Sequence, residues 1–279
     1  MKNEARNKYF KINDSILENN EDDIFEQIIT PSIYEVIRVI DGVPIFLEEH
    51  LDRMFTSARI INYDMLYSKD QIKESIKEVI LKNKVHNQNI KLLGSKIDDK
   101  MVFLVYFVDS FYPPKEYYSS GIKTIIFEHE RDNPNAKIQK DDFRKKVKEA
   151  MDMNDAFEAL LINNDGYILE GSRSNMFFVK DNKIFTAPSN QVLLGITRKY
   201  IFNIAEILNI DIVEEAIHMD DIKDLQGAFM SGTSVGVLPI SRIDTRIIQS
   251  TDNEIIKRLN KAYDKLIENY IREEKTQWK

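Results

Sequence analysis

YILEGSRSNMFFVKDNKIFTAPSNQVLLGITRKYI, residues 167–201, places one acid, Glu170, at the end of a short apolar run and follows it with two strand-like segments. Residues 175–180 and 183–186 flank Asp181-Asn182, a pair suited to a tight two-residue turn, so the segments read as a hairpin. Beyond Leu194-Gly195-Ile196-Thr197-Arg198, apolar residues recur with helical spacing at Ile201, Ile204, Ala205 and Leu208. A glycine and a threonine at a helix start suit an anion, because the first N–H groups are unpaired and the positive end of the helix dipole points outward. An acid and an anion cradle on either side of a strand pair suggest a phosphorylated ring cofactor gripped at both ends.

Working outward, the first half reads as an α+β domain. Residues 9–13 form a short opening strand, and 18–26 an acidic loop or short helix. Residues 32–39 alternate as a strand does, Asp41-Gly42 signals a hairpin, and 44–47 return as its partner. Two helices follow over 48–61 and 70–83, the first placing His50 and Arg53 on one face, and then strands over 90–94 and 101–108. The link between domains falls near 110–120, where Tyr112-Pro113-Pro114 breaks the pattern. The second half opens with a strand at 122–127, a polar loop at 128–136 and a basic helix at 140–153. A hairpin over 157–163 and 167–170 leads into the quoted stretch. Strands at 212–215, 228–231 and 237–243 and a closing helix at 253–271 complete a sheet expected to be mixed. The division expected is 1–115, a small α+β domain, and 116–279, a larger one.

The 279 residues, 43% of them hydrophobic, suffice for one large domain or two moderate ones, and the formal charge of −7 argues against nucleic acid as a partner. Cysteine is absent, which removes disulfides, thiol nucleophiles and cysteine-ligated metals, and the histidines lack metal-ligand spacing. Neither an apolar leader nor a run long enough to span a bilayer is expected, so the expectation is a cytoplasmic protein without membrane association.

The blocks YEVIRV at 34–39, HLDRM at 50–54 followed by Ser57-Ala58, EGSRSN at 170–175, LLGITR at 193–198 and FMSGTS at 229–234 occur together and in order. In this the chain resembles the class IV pyridoxal-phosphate (PLP) aminotransferases, a family of branched-chain and D-amino-acid aminotransferases and aminodeoxychorismate lyase. The resemblance implies a mixed α/β, two-domain fold-type IV architecture and PLP as cofactor. It places the lysine that holds the cofactor's aldehyde about 21 residues before the acid of Phe157-Glu158-Ala159, which selects Lys137, with Lys140 as the fallback. It sets Glu170 against the pyridine nitrogen and Arg53 on the phosphate. Ile196, Thr197 and Thr233 add N–H groups and hydroxyls, Ser234 is a weaker candidate, and His50 takes a structural role.

The departures from the family pattern fall on the substrate side. Residues 29–33 are Ile-Thr-Pro-Ser-Ile where many members have a glycine-rich turn, Asp142 stands where some have a tyrosine, and Leu93 precedes Gly94 where the D-amino-acid enzymes have an arginine. Tyr34, Arg38 and Lys91 remain as substrate-binding candidates. The activity implied is amino transfer between an amino acid and a 2-keto acid, of the branched-chain type, in a homodimer; the alternative is a lyase of the aminodeoxychorismate type that releases pyruvate.

Overall fold

The computed structural model describes residues 3–19, 24–130, 134–139 and 141–278. Along them run β1 (Tyr9–Ile12), β2 (Ser15–Glu18), β3 (Ile29–Ile40), β4 (Val43–Pro44), α1 (Leu47–Ile60), α2 (Lys69–Asn83), β5 (Gln88–Ile97), β6 (Lys100–Phe107), α3 (Lys115–Ser120), β7 (Ile122–Glu128), β8 (Ile138–Gln139) and α4 (Asp141–Met153). There follow β9 (Glu158–Ile162), β10 (Tyr167–Gly171), β11 (Asn175–Lys180), β12 (Lys183–Thr186), α5 (Ile196–Ile207), β13 (Ile212–Glu214), β14 (Ile217–His218), β15 (Gly227–Gly232), β16 (Gly236–Ile243), β17 (Arg246–Ile247) and α6 (Glu254–Glu274).

Two compact units result. The first comprises Met1–Phe111, Ala136–Lys140 and Ile267–Lys279; the second comprises Tyr112–Asn135 and Asp141–Leu266. This discontinuous division differs from the single break expected after residue 115, and both extra segments have a physical reason to join the first unit. β8 pairs with β3 through Ile138 opposite Ile33. Near the other end of the chain, the Tyr270 ring lies 4.9 Å from Phe46, Lys275 pairs with Asp41 at 2.9 Å, and Trp278 packs on the core.

In the first unit, the described strands form an antiparallel sheet in the order β2-β1-β6-β5-β3-β4, with β8 beside β3. Alternation in β3 sends Ile33, Ile37 and Val39 toward Leu51 and Met54 of α1 and Ile72, Ile76 and Val79 of α2. Each such side chain removed from water contributes about 1.5–3 kcal/mol. The opposite face of the sheet covers Phe10, Phe25, Leu93, Leu104 and Tyr106. α2 begins with a capping box in which Ser68 and Gln71 satisfy each other's backbone N–H groups. The strand expected over 44–47 is corrected: β4 ends at Pro44, Phe46 turns into the left-handed region at φ 55°, and Leu47 already opens α1. Burial of Phe46 against Tyr270 holds that turn.

In the second unit, the sheet order is β13-β12-β11-β15-β16-β7-β9-β10-β14, with β17 on β16. β7 runs parallel to β9 and to β16, and β12 parallel to β13, so the sheet is mixed, as expected. Parallel neighbours require crossovers. α4 serves the β7/β9 pair, packing Val147 and Met151 on Ile125 and Ala159. α5 serves the β12/β13 pair, with Phe202 6.4 Å from Phe177 of β11. The β11–β12 hairpin turns at Asp181 (φ 52°) and Asn182 (φ 59°), the two positive angles that its sequence invites. Among the described residues, no helix is long and apolar enough to cross a membrane.

Candidate active site

In the first unit, Lys137 stands immediately before β8. Its N–H donates to Ser57 Oγ at 3.2 Å, and its carbonyl accepts from the Tyr34 N–H at 3.2 Å. The backbone of Lys137 is thus fixed from both α1 and β3, while its half-buried side chain carries Nζ to 4.8 Å from the centre of the Tyr34 ring. Lys145, Lys146 and Lys148 are exposed on α4; the fallback Lys140 lies outside the described residues.

Tyr34 and Arg38 share a face of β3, and Lys91 of β5 stands opposite Val36, on that same face. Lys91 Nζ lies 5.1 Å from the Tyr34 ring and forms an ion pair with Glu4. Arg38 is half-buried at the far end of this row.

On the other face of β3, Arg53 grips Glu35 with two hydrogen bonds, Nε to Oε1 at 2.7 Å and a guanidinium nitrogen to Oε2 at 2.6 Å. His50 Nδ1 shares a 2.8 Å hydrogen bond with the same Oε2. Burial by itself would raise the Glu35 carboxyl; the charge of Arg53 and the hydrogen bonds from Arg53 and His50 outweigh it and hold Glu35 at about 2. Burial drives His50 below its ordinary value despite its contact with Glu35. Glu35 is absent from the sequence-based candidates. Its signal is visible in retrospect, since it is the one acid on the face that Ile33, Ile37 and Val39 define as buried.

In the second unit, Glu170 is buried just after a bulge in the β9–β10 pairing, which re-aims the strand end. One carboxylate oxygen accepts from the Leu193 N–H at 3.2 Å, which ties the acid to the LLGITR segment. Next to it, Glu158 of β9 accepts from four donors: the N–H groups of Ala159 (2.9 Å) and Ser172 (3.1 Å) and the hydroxyls of Ser172 (2.5 Å) and Ser174 (2.8 Å). These bonds explain the spacing of the EGSRSN block, whose two serines clasp one acid. Gly171 has no room for a side chain, because a Cβ there would strike Ser174 Oγ.

α5 starts from Gly195, which offers no side-chain cap. A Cβ at Gly195 would collide with Asn175 Oδ1, and Asn175 is held by its Nδ2 donating to the Leu193 carbonyl at 2.8 Å. Ile196 and Thr197 are buried in the first turn, while Thr233 and Ser234 are half-buried in the turn between β15 and β16. Opposite Asn175 in the β11–β15 register, Ser231 is 1% exposed and its hydroxyl has no hydrogen-bond partner. A helix start without a side-chain cap and an orphaned buried hydroxyl are donors short of an acceptor, and a phosphate supplies one. Arg198 serves the fold: it donates to Glu214 at 2.5 Å and to the Ala187 carbonyl at 3.1 Å, pinning the helix start.

The structure therefore sets Tyr34, Arg38, Arg53, Lys91 and Lys137 in the first unit and Glu170, Ile196, Thr197 and Thr233 in the second. Glu35, Glu158 and Ser231, which lie within the motifs, and the Glu4 partner of Lys91, which lies outside them, have no site role in the sequence reading.

A model of the Amino-transferase class IV family matches residues 32–243. The chain is 29% identical over 257 residues to the branched-chain-amino-acid aminotransferase of Pseudomonas aeruginosa, across 84% of this chain and 83% of that protein. It is 27% identical over 242 residues to the D-alanine aminotransferase of Bacillus licheniformis, across 78% of this chain and 81% of that one. The crystal structure of the T.th. branched-chain amino acid aminotransferase with pyridoxamine 5′-phosphate superposes with a TM-score of 0.85 at 24% identity, over 95% of this chain and 96% of that chain. The fold-type IV architecture expected is the one adopted. With the family model spanning most of its length, from within the Glu35 strand to the end of β16, the chain belongs to the class IV aminotransferases.

Proposed function

We propose that this chain is a PLP-dependent aminotransferase of the branched-chain type, moving an amino group between an amino acid and a 2-keto acid. The observation that carries the reading is Lys137, fixed through its backbone by Ser57 and Tyr34 while its amine stays on the face shared by Tyr34, Arg38 and Lys91. Bound PLP supplies an aldehyde that takes up the amino group and a ring that accepts the electrons released at the substrate α-carbon. Lys137 would hold that aldehyde, and its amine, when free, would take the proton from the substrate α-carbon. Glu170 keeps the pyridine nitrogen protonated, and burial strengthens that interaction. Ile196 and Thr197 at the start of α5, Thr233 and Arg53 hold the phosphate, and Glu35 aims Arg53. Tyr34, Arg38 and Lys91 face the substrate. In this reading residues 1–115 supply the substrate side and residues 116–279 most of the cofactor cradle. The working assembly is a homodimer, the commonest symmetric form, in the cytoplasm.

Borohydride reduction and peptide mapping test the assignment: the adduct is expected on Lys137, and a different lysine refutes it. A panel of L- and D-amino acids, with aminodeoxychorismate included, scored by keto-acid release, tests the reaction; pyruvate release without amino transfer overturns the aminotransferase reading. Glu170→Gln is expected to retain PLP and to lose turnover by on the order of 100-fold or more, since an amide cannot hold the ring proton. Wild-type turnover in that variant would remove Glu170 from the role.

A further inference from the structure

Ser57 lies one turn after Arg53 on α1, is 1% exposed, and directs its hydroxyl at the backbone of Lys137. That backbone draws little support from its own strand. β8 has only two residues, and Lys137 stands just ahead of it, at the centre of a three-residue turn closed by the Ile138 N–H donating to the Ala136 carbonyl at 3.1 Å. Three ties hold the turn: that bond, the Tyr34 N–H donating to the Lys137 carbonyl at 3.2 Å, and the Lys137 N–H donating to Ser57 Oγ at 3.2 Å. The first two join backbone to backbone and place no demand on the side chains. The third depends on a hydroxyl at position 57.

Ser57 is itself held in place. Arg53, four residues earlier on the same face of α1, is clamped to Glu35, and Glu35 follows Tyr34, whose N–H holds Lys137. The contacts close a circuit: β3 reaches Lys137 at Tyr34, Lys137 reaches α1 at Ser57, and α1 returns to β3 through Arg53 and Glu35. The Lys137 side chain therefore starts from a fixed root, and a reacting group held in place has a large advantage over one that must be ordered first.

We propose that Ser57 is a positioning residue for the cofactor lysine: its hydroxyl roots the Lys137 turn so that the amine meets the aldehyde of PLP, and it contributes to capture of the aldehyde while Arg53 grips the phosphate. In capture, the amine nitrogen bonds to the aldehyde carbon, and the aldehyde oxygen leaves as water with both amine protons, with no change of redox state. The proposal rests on Lys137 being the cofactor lysine, and it deepens that reading.

The test compares the affinities of the full chain, freed of cofactor, for PLP and for pyridoxamine 5′-phosphate, which has the same ring and phosphate but no aldehyde for Lys137 to capture. Ser57→Ala is expected to lower the PLP affinity relative to the pyridoxamine phosphate affinity by about tenfold, through the lost hydrogen bond and the loosened turn. Ser57→Thr, which keeps the hydroxyl, should return the ratio to near wild type. Ser57→Cys, close in size but a weaker acceptor, should fall between, and it serves if Ser57→Ala does not fold by circular dichroism. Arg53→Ala should weaken both ligands together and leave the ratio where it was. Lys137→Ala sets the floor of the ratio, and Ser57→Ala added to it should lower the ratio no further. An unmoved ratio in the folded Ser57 variants, an equal loss for both ligands, or an undiminished further loss in the Lys137→Ala background overturns the proposal. If Lys137→Ala itself leaves the ratio at wild type, the cofactor-lysine reading falls and the proposal with it. If Lys137→Ala lowers the ratio and Ser57→Ala does not, the proposal falls alone.

Discussion

Glu35 in the first unit and Glu158 in the second are both sealed from water, at 0% and 1% exposure, and they are satisfied by opposite means. Glu35 faces one charge, the Arg53 fork, with a hydrogen bond to His50 beside it, both partners on α1. Glu158 faces uncharged dipoles: two backbone N–H groups and two hydroxyls from its own strand and the turn after β10. A charge clamp couples a strand to a helix and sets where a long, mobile arginine ends. A dipole clamp has weaker members and needs all four in place, so it fixes backbone; here it fixes the turn that follows Glu170. The first acid positions a side chain and the second positions a loop.

Changing each acid to its neutral isostere separates the two. Glu35→Gln takes the Glu35 charge away from Arg53, whose side chain is 10% exposed, and the cost expected is about 3–5 kcal/mol in urea unfolding. If that variant unfolds at wild-type urea concentration, the Arg53–Glu35 pair contributes nothing net and the charge-clamp description fails.

Acid is the second probe, and its sign follows from the two shifts. Glu35 is held at about 2 against an ordinary 4.5, and His50 is held below 6.5, so below those ordinary values the unfolded chain binds more protons than the folded one. Stability is therefore full above about pH 6.5, starts to fall as pH drops through the histidine range, and falls further between 4.5 and about 2, where Glu35 contributes roughly 3 kcal/mol. Urea midpoints measured across this range should show both steps. His50→Gln should flatten the upper one and leave the lower; a flat wild-type profile down to pH 3 would contradict the assignment.

Glu158→Gln carries the smallest effect in stability, about 1–3 kcal/mol, because the amide oxygen still accepts and the serine hydroxyls can rotate. Its sharper signature should be local: faster amide exchange at Ser172 and Ser174 than elsewhere in the second unit. Uniform acceleration would mean that Glu158 supports the sheet as a whole and not the turn.

Much of this was legible in the residues. Strong periodicity announced α2, α5 and α6, and the Asp181-Asn182 pair announced its hairpin through the φ angles those residues tolerate. The blocks that marked Glu170, Thr197 and Arg53 were local and could be read by eye. What escaped depended on pairing across the chain. Two-residue β8 has no period to detect, and it becomes a strand only because β3 offers an edge. Glu35 looked like a polar position of an alternating strand, although its neighbours at Ile33 and Ile37 marked that face as buried. Glu4 lies in no motif, and its meaning comes from Lys91, 87 residues away in sequence. A left-handed Phe46 could not be foreseen, since it owes its conformation to Tyr270.

The split composition of the first unit bears on how the chain is born. Domains usually fold as units during synthesis, the earlier before the later. Here residues 1–111 emerge first but lack two of their own pieces: the strand beyond Lys137, and the turns bearing Tyr270, Lys275 and Trp278. On the ribosome, the unit begun first is the one finished last, and its core waits through the emergence of the whole second unit before Trp278 can seal it. Over that interval the Phe46 ring and the β3 edge at Ile33 lack the segments that cover them, and they are surface that a chaperone would meet.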